Sequence, residues 1–286
     1  MQKIKKYFTM VKFTHSIFAM PFAFLGFFLA IRLNSLDFDY LKLIYIAFAM
    51  VFARNAAMGF NRYLDRDIDK INERTKNREV ASGIISERNA VLFVVINSIL
   101  FMGVSWLINN LAFFLSPVAL AVVLGYSYTK RYTALCHLVL GLGLALAPIG
   151  AYISVTGAFN NIIPIIFSFV VLFWTAGFDI IYALQDEEFD KEHNLHSIPS
   201  MMGKVKALRL SVIFHIIAAI LIFVSGYLLD TGFWYWIAAG IFTGLLYNQH
   251  RMVKPDDLSK VNLAFFTTNG IASLLFALFS IISLYN

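Results

Sequence analysis

The sequence predicts an all-α, polytopic membrane protein. Three observations carry that reading. Hydrophobic residues make up 59% of the 286 positions, where a soluble domain has roughly 45–50%. Charged residues make up 14%, against about 25% in a soluble domain. The apolar residues also gather in nine continuous runs, each near the ~20 residues that cross a bilayer as a helix. Barrel strands would instead alternate apolar and polar residues. A soluble sphere of this size would lack the polar residues to cover its surface. A cytosolic globular protein, a disordered chain and a nucleic-acid binder are therefore excluded.

The runs follow in order. Phe13–Leu33 is long and has no small-residue cleavage site behind it, so it reads as a span and not as a signal peptide. Leu41–Tyr63 carries Arg54 inside it and runs into an acidic string. Asn89–Ile108, Leu111–Tyr128 and His137–Gly157 are separated by short connections, one of them holding Lys130 and Arg131. Ile162–Leu184 carries Asp179 near its end and leads into a second acidic string. Ala207–Leu229, Phe233–Gln249 (the shortest) and Val261–Tyr285 complete the set. The expectation is nine transmembrane helices enclosing a central cavity, in one domain covering residues 1–286.

Charge placement predicts the orientation. The N-terminus, with Lys12, and the loops after runs two, four, six and eight hold 20 of the 23 lysines and arginines. The opposite side holds Arg32 and Lys42 alone. Basic residues mark the cytoplasmic side, so the N-terminus is expected in the cytoplasm and the C-terminus outside. The net charge of +6 is explained by that basic face. The setting expected is the inner (cytoplasmic) membrane. Cys136 is the only cysteine, which rules out an internal disulfide or a thiolate metal cluster.

Chemistry concentrates in two strings on the cytoplasmic side. In RNAAMGFNRYLDRDIDKINERTKNRE, Asn61, Asp65 and Asp69 recur every four residues and share a helical face. Arg54 lies on that face, deeper in the span. In DIIYALQDEEFDKE, Asp179, Tyr182, Asp186 and Asp190 share a face in the same way. The strings also resemble each other: Asp65-x-Asp67-x-Asp69-Lys70 matches Asp186-x-Glu188-x-Asp190-Lys191. Two facing carboxylate clusters without His or Cys suit a hard cation such as Mg²⁺, which prefers oxygen ligands and bridges to phosphates. Arg74, Lys76, Arg78, Lys130 and Arg131 are at hand for a diphosphate. Arg54, costly within a span, calls for an anionic partner, with Asp179 the internal candidate. His15, His137 and His215 read as packing or polar contacts between helices.

These strings resemble the two aspartate-rich motifs of the UbiA superfamily of intramembrane aromatic prenyltransferases: NRYLDRDIDKINERTKNRE followed by ASG, and DIIYALQDEEFD. SYTKRYTALCHLVLGLGLALAPIGAYI and KFTHSIFAMPFAF also resemble family segments, so the likeness runs from about Lys12 to Arg209. Many members carry an aspartate where this chain has Arg62. The resemblance implies transfer of a polyprenyl group from its diphosphate to an aromatic acid. Asn61, Asp65, Asp69, Asp186 and Asp190 would then hold Mg²⁺. Lys76, Arg78, Lys130 and Arg131 would neutralise the diphosphate. Tyr126 and Tyr182 would offer ring faces to an allylic cation. Asp179 would stabilise that cation or take the ring proton, and Arg54 would bind the acceptor carboxylate as a fork. The prenyl tail would lie against lipid. The favoured acceptor is 4-hydroxybenzoate, as for a ubiquinone precursor, with a hydroxynaphthoate for menaquinone as the alternative. A secondary transporter is the reading from another class, although the carboxylates cluster at one face and not at the midplane.

Overall fold

A computed structural model describes residues 2–11 and 18–286. Lys12 and His15, together with the start of the first apolar run, lie outside the described residues. The described residues contain no β-strand. The helices are α1 (Gln2–Val11), α2 (Met20–Asn34), α3 (Tyr40–Leu64), α4 (Arg66–Ile71), α5 (Glu87–Ile108), α6 (Asn110–Thr129) and α7 (Cys136–Thr156). They continue with α8 (Ile163–Ala183), α9 (Glu187–Glu192), α10 (Ile198–Leu228), α11 (Phe233–Met252) and α12 (Asn269–Tyr285). A 3-10 turn, Leu184–Asp186, joins α8 to α9, and a π-helical turn, Leu263–Thr268, leads into α12.

Among the described residues, seven segments are long and apolar enough to cross a membrane: 40–64, 87–108, 110–129, 136–156, 163–192, 198–228 and 263–285. Helix α2 is apolar but shorter. Local chemistry sets several boundaries. Asp39 accepts the Leu41 and Lys42 N–H groups and starts α3, and Asn109 accepts the Ala112 N–H and starts α6. Ser197 and Ser200 form a reciprocal capping box at α10.

Three details depart from the sequence expectation. The two long connections each contain a short helix, α4 and α9, because the acidic strings continue the helical period past the end of the span. Helix α10 begins at Ile198 and not near Ala207, with its first turn broken from the rest at Gly203, whose φ of 78° favours glycine. The last run does not open as a regular α-helix but through the π turn.

The helices form two groups. Helix α3 packs on α5 and α6, while α8 sits between α7 and α10, and α2 lies on α7 and α12. Close backbone approach holds the second group. A Cβ on Gly26 would stand 2.1 Å from the Pro148 carbonyl oxygen, and one on Gly141 would stand 2.5 Å from that of Leu172. Lipid supplies no hydrophobic drive between helices, so such contacts carry the association through dispersion. The core of this group is aromatic: Phe22, Phe167, Trp174, Phe242 and Phe276 are fully buried. The seam between the groups, where α3 and α6 face α7, encloses a cavity of about 370 Å³.

Candidate active site

Helices α3 and α8 run in the same sense and end on the same side of the bundle, which brings the two acidic strings together. Asn61 donates from Nδ2 to Asp65 Oδ2 at 2.9 Å, so the fourfold spacing does place them on one face. Arg62 is buried beside them and donates to Asn61 Oδ1 at 3.4 Å. In the second string Asp186 and Asp190 are both buried, Asp190 completely.

Each of the four aspartates has its own cation. Arg131 Nη2 lies 3.5 Å from Asp65 Oδ1 and also donates to the Leu64 carbonyl at 2.8 Å. Arg78 Nη1 donates to both oxygens of Asp69, at 2.7 and 3.0 Å. Lys130 Nζ meets Asp190 Oδ1 at 2.7 Å. Arg74 forks onto Asp186, through Nε at 2.9 Å to Oδ1 and through Nη2 to Oδ2, and its Nη1 donates to the Tyr182 hydroxyl at 2.9 Å. One of these contacts joins the strings directly, since Arg74 of the first grips Asp186 of the second, and the adjacent Lys130 and Arg131 reach one string each.

The charge balance of the cluster leaves a trace. Burial, and after it the neighbouring charge of Asp69, push the Asp65 carboxyl above its ordinary range despite Arg131 and Lys130. Burial opposes the charge on Lys130 and Arg74, but Asp190 and Asp186 respectively outweigh it and hold both cations above their usual values. Among the described residues, no three His, Cys, Asp or Glu side chains are grouped closely enough to hold a metal ion. Of the five ligands expected from sequence, each of the four aspartates is instead paired with a guanidinium or ammonium group. The donors nevertheless fit Mg²⁺: all are oxygens, and the buried Asp65 carboxylate carries a desolvation penalty that a cation would relieve.

Of the remaining expected residues, Arg54 and Tyr126 both line the cavity, which is otherwise apolar apart from Ser105, Ser116 and Ser154. Lys76 pairs with Glu73 at 2.5 Å on an exposed turn and joins neither aspartate cluster. Tyr182 faces Arg74 rather than the cavity, with the guanidinium carbon 5.2 Å from its ring centroid. Asp179 is not the partner expected for Arg54. Its Oδ2 lies 2.7 Å from His137 Nδ1. Because His137 Nε2 accepts the Ile198 N–H at 3.2 Å, the ring proton is assigned to Nδ1 and donated to Asp179. His137, expected to pack or to make a polar contact between helices, makes the polar contact, but the sequence reading did not name Asp179 as its partner. Arg74 was noted only as an available cation, and its link to Asp186 depends on how the connection folds back.

The sequence profile described as the UbiA prenyltransferase family matches residues 19–277. A 4-hydroxybenzoate octaprenyltransferase of Vesicomyosocius okutanii is 31% identical over 252 residues, covering 86% of this chain and 90% of that one. The apo structure of a UbiA homolog from Aeropyrum pernix superposes with a TM-score of 0.82 at 28% identity, covering 95% of this chain and 97% of that one. A UbiA homolog from Archaeoglobus fulgidus, solved with DMAPP and Mg²⁺, shares the fold with a TM-score of 0.76 at 21% identity, covering 98% and 99%. The chain belongs to the UbiA prenyltransferase family.

Proposed function

We propose that the protein transfers a polyprenyl group from its diphosphate to 4-hydroxybenzoate. The observation that carries this reading is the set of four aspartate–cation pairs beside an apolar cavity that holds Arg54 and Tyr126. The relatives named 4-hydroxybenzoate octaprenyltransferase support the acceptor.

The residues divide the work. Arg74, Arg78, Lys130 and Arg131 turn from their carboxylates to the diphosphate oxygens. Asn61, Asp65, Asp69, Asp186 and Asp190 would hold Mg²⁺, which would neutralise the diphosphate and make it a better leaving group. The allylic C–O bond breaks and its electron pair leaves with the diphosphate. The apolar cavity keeps water from the cation, and the Tyr126 ring face favours it. Arg54 holds the acceptor carboxylate by a planar fork, so a ring carbon attacks the allylic carbon. Asp179, oriented by His137, stabilises the cation or takes the displaced ring proton. The whole is proposed as one domain with nine spans in the inner membrane, its N-terminus and active site on the cytoplasmic side.

The test is turnover by the purified protein with a prenyl diphosphate, Mg²⁺ and a panel containing 4-hydroxybenzoate, a hydroxynaphthoate and a phenol without a carboxylate. The expected result is prenylated 4-hydroxybenzoate with release of diphosphate, lost on chelation. Arg54→Lys should raise KM for the acceptor more than for the prenyl diphosphate, because lysine keeps the charge but loses the fork. Preference for the carboxylate-free phenol, or a raised diphosphate KM alone, would overturn the assignment.

A further inference from the structure

The π turn Leu263–Thr268 lies outside both motifs, yet two of its rings meet Tyr182. A π turn leaves backbone carbonyls without their usual helical donors, and such turns cluster at functional sites. Here the donors come from side chains. Gln249 Nε2 donates to the Ala264 carbonyl at 3.1 Å. Asn269 Nδ2 donates to the carbonyls of Phe265 at 2.9 Å and Ala264 at 3.3 Å. Asn269 Oδ1 in turn accepts from Trp174 Nε1 at 2.9 Å and from Gln249 Nε2 at 2.5 Å. Gln249, Asn269 and Trp174 are all 0% exposed. A buried polar network of this kind fixes one backbone geometry, because any slip leaves buried groups unsatisfied.

That geometry turns two successive phenylalanines onto Tyr182. The Phe265 ring centroid is 4.2 Å from that of Tyr182, and the Phe266 centroid is 6.0 Å away, edge-on. Phe265 also meets Phe178 edge-on at 5.2 Å. Tyr182 is therefore packed against both rings. Its hydroxyl takes one Arg74 donor, and the rest of the guanidinium is set for Asp186.

We propose that Phe265, fixed by the Asn269–Gln249–Trp174 network, is a positioning residue that aims Arg74 through Tyr182. It governs affinity for the diphosphate without touching it. This rests on the diphosphate site proposed above.

The experiment titrates Mg²⁺–pyrophosphate into the full-length protein by calorimetry and measures KM for both substrates. Phe265→Leu should weaken Mg²⁺–pyrophosphate binding by about fivefold, the scale of a lost aromatic pair. KM for the prenyl diphosphate should rise in parallel while KM for the acceptor stays put. Phe265→Tyr, which keeps the ring, should restore binding. In an Arg74→Lys background, Phe265→Leu should add no further loss, since both act through one contact. Phe265→Met keeps volume without a ring and replaces Phe265→Leu if that variant does not fold. Unchanged pyrophosphate affinity in the ring-less variant, or losses that add with Arg74→Lys, would overturn the proposal. Failure of the unsubstituted protein to bind Mg²⁺–pyrophosphate would instead overturn the diphosphate site itself.

Discussion

In its proposed metal-holding role Asp65 must be ionised, and the fold penalises that charge. Burial and the charge of Asp69 raise its carboxyl above the ordinary range. The sign follows from linkage. A carboxyl whose folded value is raised binds its proton more tightly in the folded state. The metal-free protein therefore loses stability as pH climbs from the ordinary aspartate range through the raised value, and the loss is complete above it. Asp65→Asn removes that penalty. The variant without metal should melt at a higher temperature than the natural protein at neutral pH, and its melting should lose the Asp65 part of the pH dependence. Added Mg²⁺ with pyrophosphate should raise the melting temperature of the natural protein and leave the variant largely unmoved. Turnover should fall at least about a hundredfold, the scale of ~3 kcal/mol of transition-state stabilisation. Thermal scans with and without Mg²⁺, beside a rate assay, decide it: an unstabilised variant with intact turnover would contradict the assigned role.

At the scale of elements, hydropathy located the spans because an apolar run must be buried or face lipid whatever its neighbours do. The α3, α5, α6, α7 and α8 boundaries fall close to the apolar runs for that reason. Features decided by partners were not legible. The early start of α10 depends on the Ser197–Ser200 box and on the His137 contact with the Ile198 N–H. The π turn depends on Gln249 and Asn269, whose contacts with the Ala264 and Phe265 carbonyls no local pattern encodes. In the site, the period-four spacing revealed the Asn61–Asp65 contact, a local relation on one helix. The Arg74–Asp186 and His137–Asp179 pairs join residues 112 and 42 positions apart, and no local period encodes them. Orientation is a prediction at this scale. Twenty of the basic residues fall on one side of the expected topology. Reporter fusions at Asn286 and within 72–79 should therefore read opposite faces of the membrane, and the same face for both would refute nine spans.

For the whole molecule, the proposed site makes the four aspartate–cation pairs one ion-exchange device. Asp65, Asp69, Asp186 and Asp190 face Arg131, Arg78, Arg74 and Lys130, one for one. Mg²⁺ arriving alone must compete with cations already seated on the carboxylates. Pyrophosphate arriving alone must draw those cations from anions that hold them in a partly buried site. Arriving together, the two solve each other's problem, since every carboxylate released by a cation gains a metal and every cation gains a phosphate oxygen. Binding should therefore be strongly cooperative between metal and diphosphate. Coupling between sites is reciprocal, so saturating pyrophosphate should tighten Mg²⁺ by about tenfold or more, and saturating Mg²⁺ should tighten pyrophosphate by the same factor. Arg78→Gln offers the sharper contrast. It removes the cation from buried Asp69 and leaves the carboxylate available to the metal. Mg²⁺ alone should then bind more tightly than in the natural protein, pyrophosphate should bind more weakly, and the coupling between them should shrink. Calorimetric titration of each ligand in the absence and presence of the other measures all three quantities. Mg²⁺ affinity independent of pyrophosphate, or an Arg78→Gln variant that loses affinity for Mg²⁺ alone, would show that the pairs are structural clamps and not exchangeable counter-ions.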